Sequence, residues 1–184
     1  MSGYTVIGGV TRTLGEFLRT ETGVNVEYDR SPAEVIPDTG PLIHVYLYRV
    51  EPNPFFVNGD WIRASDTVLQ QPPIGLNLHY LITPHGTGQL QIQVTLGEII
   101  RVFHDHAIIP PAAYDAALAG STEELRVVPR PRSLEEMTEL WRAFEGRSYR
   151  LAATYEASVV LIDSGVTRTV TRVVERHVQV GQRR

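Results

Sequence analysis

The chain contains no cysteine and no lysine. The first absence excludes disulfide frameworks, thiolate metal sites and cysteine nucleophiles together. The second leaves all 17 basic residues as arginine and removes the lysine that a Walker-type phosphate loop requires. No apolar run approaches the roughly 20 residues of a membrane-spanning helix. The start, Met1-Ser2-Gly3-Tyr4, lacks the basic residues and apolar stretch of a secretory signal. A soluble protein made in the cytoplasm is the expectation.

What is present suffices for an ordinary core. The 184 residues are 42% hydrophobic and 21% charged, which excludes bulk disorder. A chain of this length buries roughly 70% of its unfolded surface, so it folds without metal or disulfide. Charge is unevenly placed. Residues 1–163 carry 12 Arg against 20 Asp plus Glu, a balance of -8; residues 164–184 carry five Arg against one Glu, a balance of +4. An acidic body with a basic tail suits contact with acidic surfaces or with other copies of the chain. Nucleic acid would fit the tail but be repelled by the body.

Ile7, Val10, Leu14, Phe17 and Leu18 recur at helical spacing and predict a helix over 4–21, ended by Gly23. Short strands are expected at 24–28 and 125–128, and a longer one at 42–50. In the longer strand Ile43, Val45 and Leu47 face away from His44, Tyr46 and Tyr48. Asn58-Gly59 suggests a hairpin or extended loop carrying Phe55, Phe56 and Trp61. Residues 76–83 read as a strand stopped by Pro84. A helix over 89–103 turns Ile92, Leu96, Ile99, Ile100 and Phe103 inward, and a short helix follows at 112–118.

Ser133 with Glu136 three residues on is a capping box, leading the stripe Leu134, Met137, Leu140, Trp141, Phe144. Residues 150–162 and 166–180 read as two long strands. This order is not a regular βαβα alternation. It predicts an α+β fold, with a mixed, mostly antiparallel sheet covered by helices. Residues 4–163 form the domain, and the basic segment 164–184 continues it.

Few residues suggest chemistry. His104-Asp105-His106 falls at a helix end, where histidine is favoured by the dipole and the two rings diverge. His79 reads as a packed, hydrogen-bonded histidine and His85 as a solvated turn residue. Gly86-Thr87-Gly88 reads as a helix lead-in, and no G-x-S-x-G is present. Catalysis, metal and cofactor are therefore not expected.

The C-terminal pattern is more informative. Arg168, Arg172 and Arg176 alternate with valines on one strand face. An arginine ladder of this kind suits an interface better than a monomer core. The alternative is an exposed edge strand that arginine protects against aggregation. Phe55, Phe56 and Trp61 are candidate contact anchors that could equally fold back onto the sheet.

The segment Pro72-Pro73-Ile74-Gly75-Leu76-Asn77-Leu78-His79-Tyr80-Leu81-Ile82-Thr83-Pro84-His85-Gly86 resembles a motif of one bacterial family. Leu96-Gly97 through Val102-Phe103-His104-Asp105 fits its next block. Leu140-Trp141, Tyr149-Arg150-Leu151 and Tyr155 to Asp163 fit its close, with Ala152-Ala153 where serine is usual. That family is similar to the tail-terminator or cap proteins of extracellular contractile injection systems, phage-tail-like particles such as the antifeeding prophage and the virulence cassettes. The resemblance implies a six-fold ring on the end of the inner tube that stops tube growth and engages the last sheath ring. It implies a homo-oligomer with tube and sheath proteins as partners, no membrane, and a particle assembled in the cytoplasm and able to be released. The competing expectations are a metal-dependent hydrolase using His104 and His106 with His79 or His85, and a nucleic-acid-binding adaptor using the tail.

Overall fold

The computed structural model describes residues 3–34, 40–56, 59–119, 124–144 and 148–171. Helix α1 (Val6–Thr22) buries Val6, Val10, Leu14, Phe17 and Leu18 and ends at Gly23, whose φ of 67° is the left-handed turn that glycine adopts without cost. Strand β1 (Asn25–Glu27) pairs parallel to the start of β2 (Leu42–Pro52). The remaining pairings of the main sheet are antiparallel. They run through β5 (Ile74–His85), β7 (Ala153–Ile162) and β6 (Arg126–Pro129), giving the order β1-β2-β5-β7-β6. A second, three-stranded sheet is built from β3 (Ile62–Arg63), β4 (Val68–Gln70) and β8 (Thr167–Thr169), with β4 in the middle.

Alternation along the long strands supplies two apolar faces. Ile43, Val45, Leu78, Tyr80 and Ile82 join α1 and helix α2 (Gln89–Asp105) in the principal core. Leu81 faces the other way. It packs with Met137, Trp141 and Phe144 of the α3 region (helix Leu134–Arg142), and Tyr46 and Tyr48 pack against this second cluster. The sheet is therefore covered on both faces, in an α+β arrangement as expected.

Several expectations are corrected by packing. Pro84 does not stop β5. It pairs with Ile43, and the ladder to β7 has already ended at Ile82 with Ala153, so β5 is paired on one side there and tolerates a missing N–H. A hairpin turn lies between β3 and β4, closed by Ala64 and Ser65 N–H groups donating to Val68 O; Asn58 of the Asn58-Gly59 pair lies outside the described residues. The expected helix at 112–118 is two 3-10 turns, Pro111–Ala113 and Ala116–Leu118, the second capped by the Asp115 carboxylate. Helix α2 buries Ile99 and Phe103 as expected, with Thr95 and Val102 beside them and Ile92 and Leu96 half-buried, while Ile100 of the expected face is half exposed. Of the long strand expected over 166–180, Thr167–Thr169 is a strand, and residues 172–184, including Arg172 and Arg176, lie outside the described residues.

Candidate assembly interface

The small sheet is an arm rather than a layer of the core. Val166, Thr167, Arg168 and Thr169 are exposed, as are Ile62 and Arg63 on the opposite edge strand. Beyond its ladder, Gln70 Nε2 donates to Ser164 O at 2.6 Å and Gln71 N–H to Val166 O at 3.0 Å, tying β4 to the connector before β8. Three strands with this little apolar cover are marginal alone.

Two of the residues singled out in the sequence meet on this arm. The Arg168 guanidinium lies over the Trp61 ring, 4.3 Å from its centroid. The register explains the contact: Arg168 sits opposite Leu69 on β4, and Leu69 opposite Arg63 on β3, two residues after Trp61 and so on the same face of the sheet. Such a stack contributes about 0.5–1 kcal/mol at an exposed site. It holds a delocalised cation and an indole as one flat, amphipathic surface. The two neighbouring phenylalanines separate. Phe55 is 92% exposed, whereas Phe56 lies against Gly75, where an added Cβ would come within 2.7 Å of the ring. Phe56 thus folds back onto the start of β5, and Phe55 projects.

Behind the arm, the second sheet face carries a charged cluster that sequence reasoning missed. His79 and Glu156 are each 6% exposed and directly opposed across β5 and β7. His79 Nε2 is 2.9 Å from Glu51 Oε2, and Glu51 also pairs with Arg49. The Arg130 fork donates to both Glu156 oxygens, at 2.9 and 3.2 Å. Arg132 lies over the Tyr48 ring and donates to its hydroxyl at 2.9 Å. These residues come from four segments far apart in sequence, so only the strand register could have revealed them. The cluster's carboxylates are matched by arginine, so it clasps neighbouring strands across the sheet.

The remaining histidines are dispersed. His106 is the C-cap of α2, edge-on to Phe17, and His104 is exposed on the same helix. His79 sits on the opposite side of the sheet from α2, and His85 is buried at the end of β5, with Arg150 Nη1 3.3 Å from its Nδ1. His85 was expected in a solvated turn; continuation of β5 through Pro84 carries it inside. Among the described residues, no group of three or more His, Asp or Glu is placed to hold a metal ion. The Gly86-Gly88 lead-in points its Thr87 N–H at the Gln91 side chain, 3.2 Å away, and so satisfies itself. No helix among the described residues is long and apolar enough to cross a membrane.

Comparison with known proteins follows this geometry. The fold is similar to the sheath/tube terminator of PVC, an extracellular contractile injection system, in its extended state. The TM-score is 0.70 at 17% identity, covering 99% of this chain and 65% of that one. It is also similar to the tube terminating cap of the anti-feeding prophage, with TM-score 0.65 and 17% identity, covering 93% of this chain and 60% of that one. This chain therefore spans less than two thirds of either solved relative. No curated protein matches it. The model of the Pvc16 N-terminal domain matches residues 9–176, and the chain belongs to that family.

Proposed function

We propose that this domain is a structural cap of a contractile, phage-tail-like injection particle. Copies form a ring on the end of the inner tube, stop its growth and engage the last ring of sheath. The observation that carries this reading is the fold likeness to two tube terminators over nearly the whole chain, joined to an exposed arm that lacks a core of its own. Six copies are proposed from family resemblance. The particle is assembled in the cytoplasm and released afterwards, and the domain acts without catalysis, metal or cofactor.

The arm is the proposed contact surface for sheath or for a neighbouring copy. Phe55 and the Trp61–Arg168 stack supply aromatic and arginine anchors, the residue types enriched at binding hot spots. Arg172 and Arg176 continue the same series in sequence, and their proposed partners are carboxylates. The arm's outer strands, β3 and β8 among the described residues, offer edges for main-chain pairing with a partner strand. A metal-dependent hydrolase is not favoured, because the histidines that reading needs are separated by the sheet.

The test is assembly. Purified chain is added to polymerising tube protein, with or without sheath, and particle ends are examined by negative-stain microscopy. Wild-type chain should give tubes that end in a cap and accept sheath. Replacing Arg168, Arg172 and Arg176 together with glutamate should abolish ring formation or sheath attachment. Normal assembly of that variant refutes the role given to the arginines.

A further inference from the structure

The two outer edges of the main sheet are closed in different ways. At β6 the closure is made by main chain. Ile109 N–H donates to Leu125 O at 2.9 Å and Val127 N–H to Ala107 O at 2.8 Å, with Ile108 bridged to Arg126. Pro129 ends that strand and has no N–H to offer.

At β1 the outward groups follow from the register. Ile43 of β2 stands opposite Pro84 on one side and Val26 on the other. Pro84 lacks an N–H, so Ile43–Pro84 is a pair that exchanges no ladder bonds, and the Ile43 main-chain groups turn toward β1. There they meet Asn25 and Glu27, which flank Val26. Main-chain direction alternates along a strand, so Val26 turns its own N–H and C=O to the outer side. An edge strand that presents such groups is a template for a further strand.

Side chains from the last turn of α1 occupy this edge. Arg19 Nη2 donates to Val26 O at 2.9 Å. Nη1 of the same guanidinium is 2.9 and 3.0 Å from the two Glu16 oxygens, and the Tyr28 hydroxyl donates to Glu16 Oε1 at 2.9 Å. The Arg19–Glu16 pair is half-exposed, and a pair of that kind contributes little by itself. Its effect here is to aim the guanidinium at the strand. Thr22 closes the adjoining main chain: its Oγ1 accepts from Val24 N–H at 3.2 Å and donates to Leu18 O at 2.7 Å.

We propose that Arg19 is an edge plug. By holding the Val26 carbonyl it keeps β1 closed to strand addition. Without it, two copies pair β1 to β1, antiparallel, by exchanging the Val26 N–H and C=O groups. Identical edges meet about a two-fold axis, which sets Asn25 of one copy opposite Glu27 of the other. The inference concerns the main sheet alone and stands apart from the cap reading.

The chain has no cysteine, so introduced cysteines report this contact without background. Asn25→Cys and Glu27→Cys are made as separate full-length chains. Both side chains lie on the face away from buried Val26. Residues directly opposed across antiparallel strands have Cβ atoms about 4.5–5.5 Å apart, near enough for oxidation to trap the pair. Each cysteine chain is prepared with Arg19 intact, with Arg19→Met and with Arg19→Gln. Methionine keeps the apolar stem and removes the donors; the glutamine amide ends nearer the backbone. The two cysteine chains are then mixed, oxidised and run on a denaturing gel, with circular dichroism to establish folding.

Little disulfide-linked dimer should form while Arg19 is intact. Both Arg19 variants should raise the yield about tenfold, the change expected when a charge-assisted hydrogen bond no longer holds the closed form. The proposal is overturned if the folded variants cross-link no more than the intact chain. It also falls if they cross-link no more than Tyr4→Cys mixed with Glu27→Cys in the same background. Loss of folding in both variants overturns it as well, because Arg19 would then serve the fold and not the edge. Tube capping by wild-type chain is read separately, and its failure removes the proposed function without touching this edge.

Discussion

At the scale of single residues, burial decides what each histidine and carboxylate does. His44 is 1% exposed and its Nε2 donates to Arg30 O at 2.9 Å. Desolvation holds its pKa below the ordinary 6.5, against the raising effect of that hydrogen bond and of Glu27. The folded state therefore prefers neutral His44, and the unfolded state takes up the proton first. Its contribution to stability is complete above the unfolded value and is lost as pH falls from about 6.5 through the lower folded value. One proton corresponds to at most about 1.4 kcal/mol per pH unit. Urea unfolding of wild type should weaken between pH 7 and pH 5, and His44→Gln should show a shallower decline; parallel curves would contradict the assignment. Asp115 works the opposite chemistry on the surface. The Arg12 guanidinium, then the Ala117 N–H, hold its carboxyl below the usual range, so that contribution is lost only at more acid pH.

Element boundaries follow local rules where local rules meet no competitor. Ser133 accepts from the Glu136 N–H at 3.2 Å and Glu136 accepts from the Ser133 N–H at 2.9 Å. The capping box expected from four residues is present, and Ser133→Ala should cost about 1 kcal/mol in denaturant unfolding. Gly23 is equally local. The failures occur where tertiary pairing overrides the chain's own signals. The turn between β3 and β4 carries no glycine or asparagine to announce it, since residues 64–67 read Ala-Ser-Asp-Thr, and β4 is held by β8 from far along the chain. Helix α2 shows the limit of a face assignment when apolar residues surround a helix: Ile99 and Phe103 are buried as expected, whereas Ile100, assigned to the same face, is half exposed. The contact of Phe56 with Gly75 has its own test. Gly75→Ala forces Phe56 aside and should destabilise the protein by about 1–3 kcal/mol, the usual cost of overpacking. An unchanged denaturation midpoint would mean that Phe56 does not pack tightly on Gly75.

The whole molecule is a sheet covered on both faces, with an underdressed arm at one end. The α+β class was legible because amphipathic helices and alternating strands rarely mislead when long. The cluster of Glu51, His79, Arg130 and Glu156 was not legible, since it exists only after β2, β5, β6 and β7 are in register. Its worth to the molecule should be large. Removing the Arg130 fork by Arg130→Ala leaves the 6%-exposed Glu156 without its principal partner. A loss of about 1–3 kcal/mol is expected from leaving a buried carboxylate short of a hydrogen-bond partner, read as a lowered unfolding midpoint. Of the candidate contact residues, Trp61 and Arg168 were brought together by strand pairing that sequence spacing could not foretell. Phe55 and Phe56, adjacent in sequence, were driven apart by the close packing at Gly75.

The most direct measurement is tube length with and without this chain. Tube protein polymerised in its presence and imaged by negative stain should show extra density at one end of each tube and arrested growth there. Tubes that lengthen without limit, with bare ends at saturating concentrations of the chain, would contradict the account.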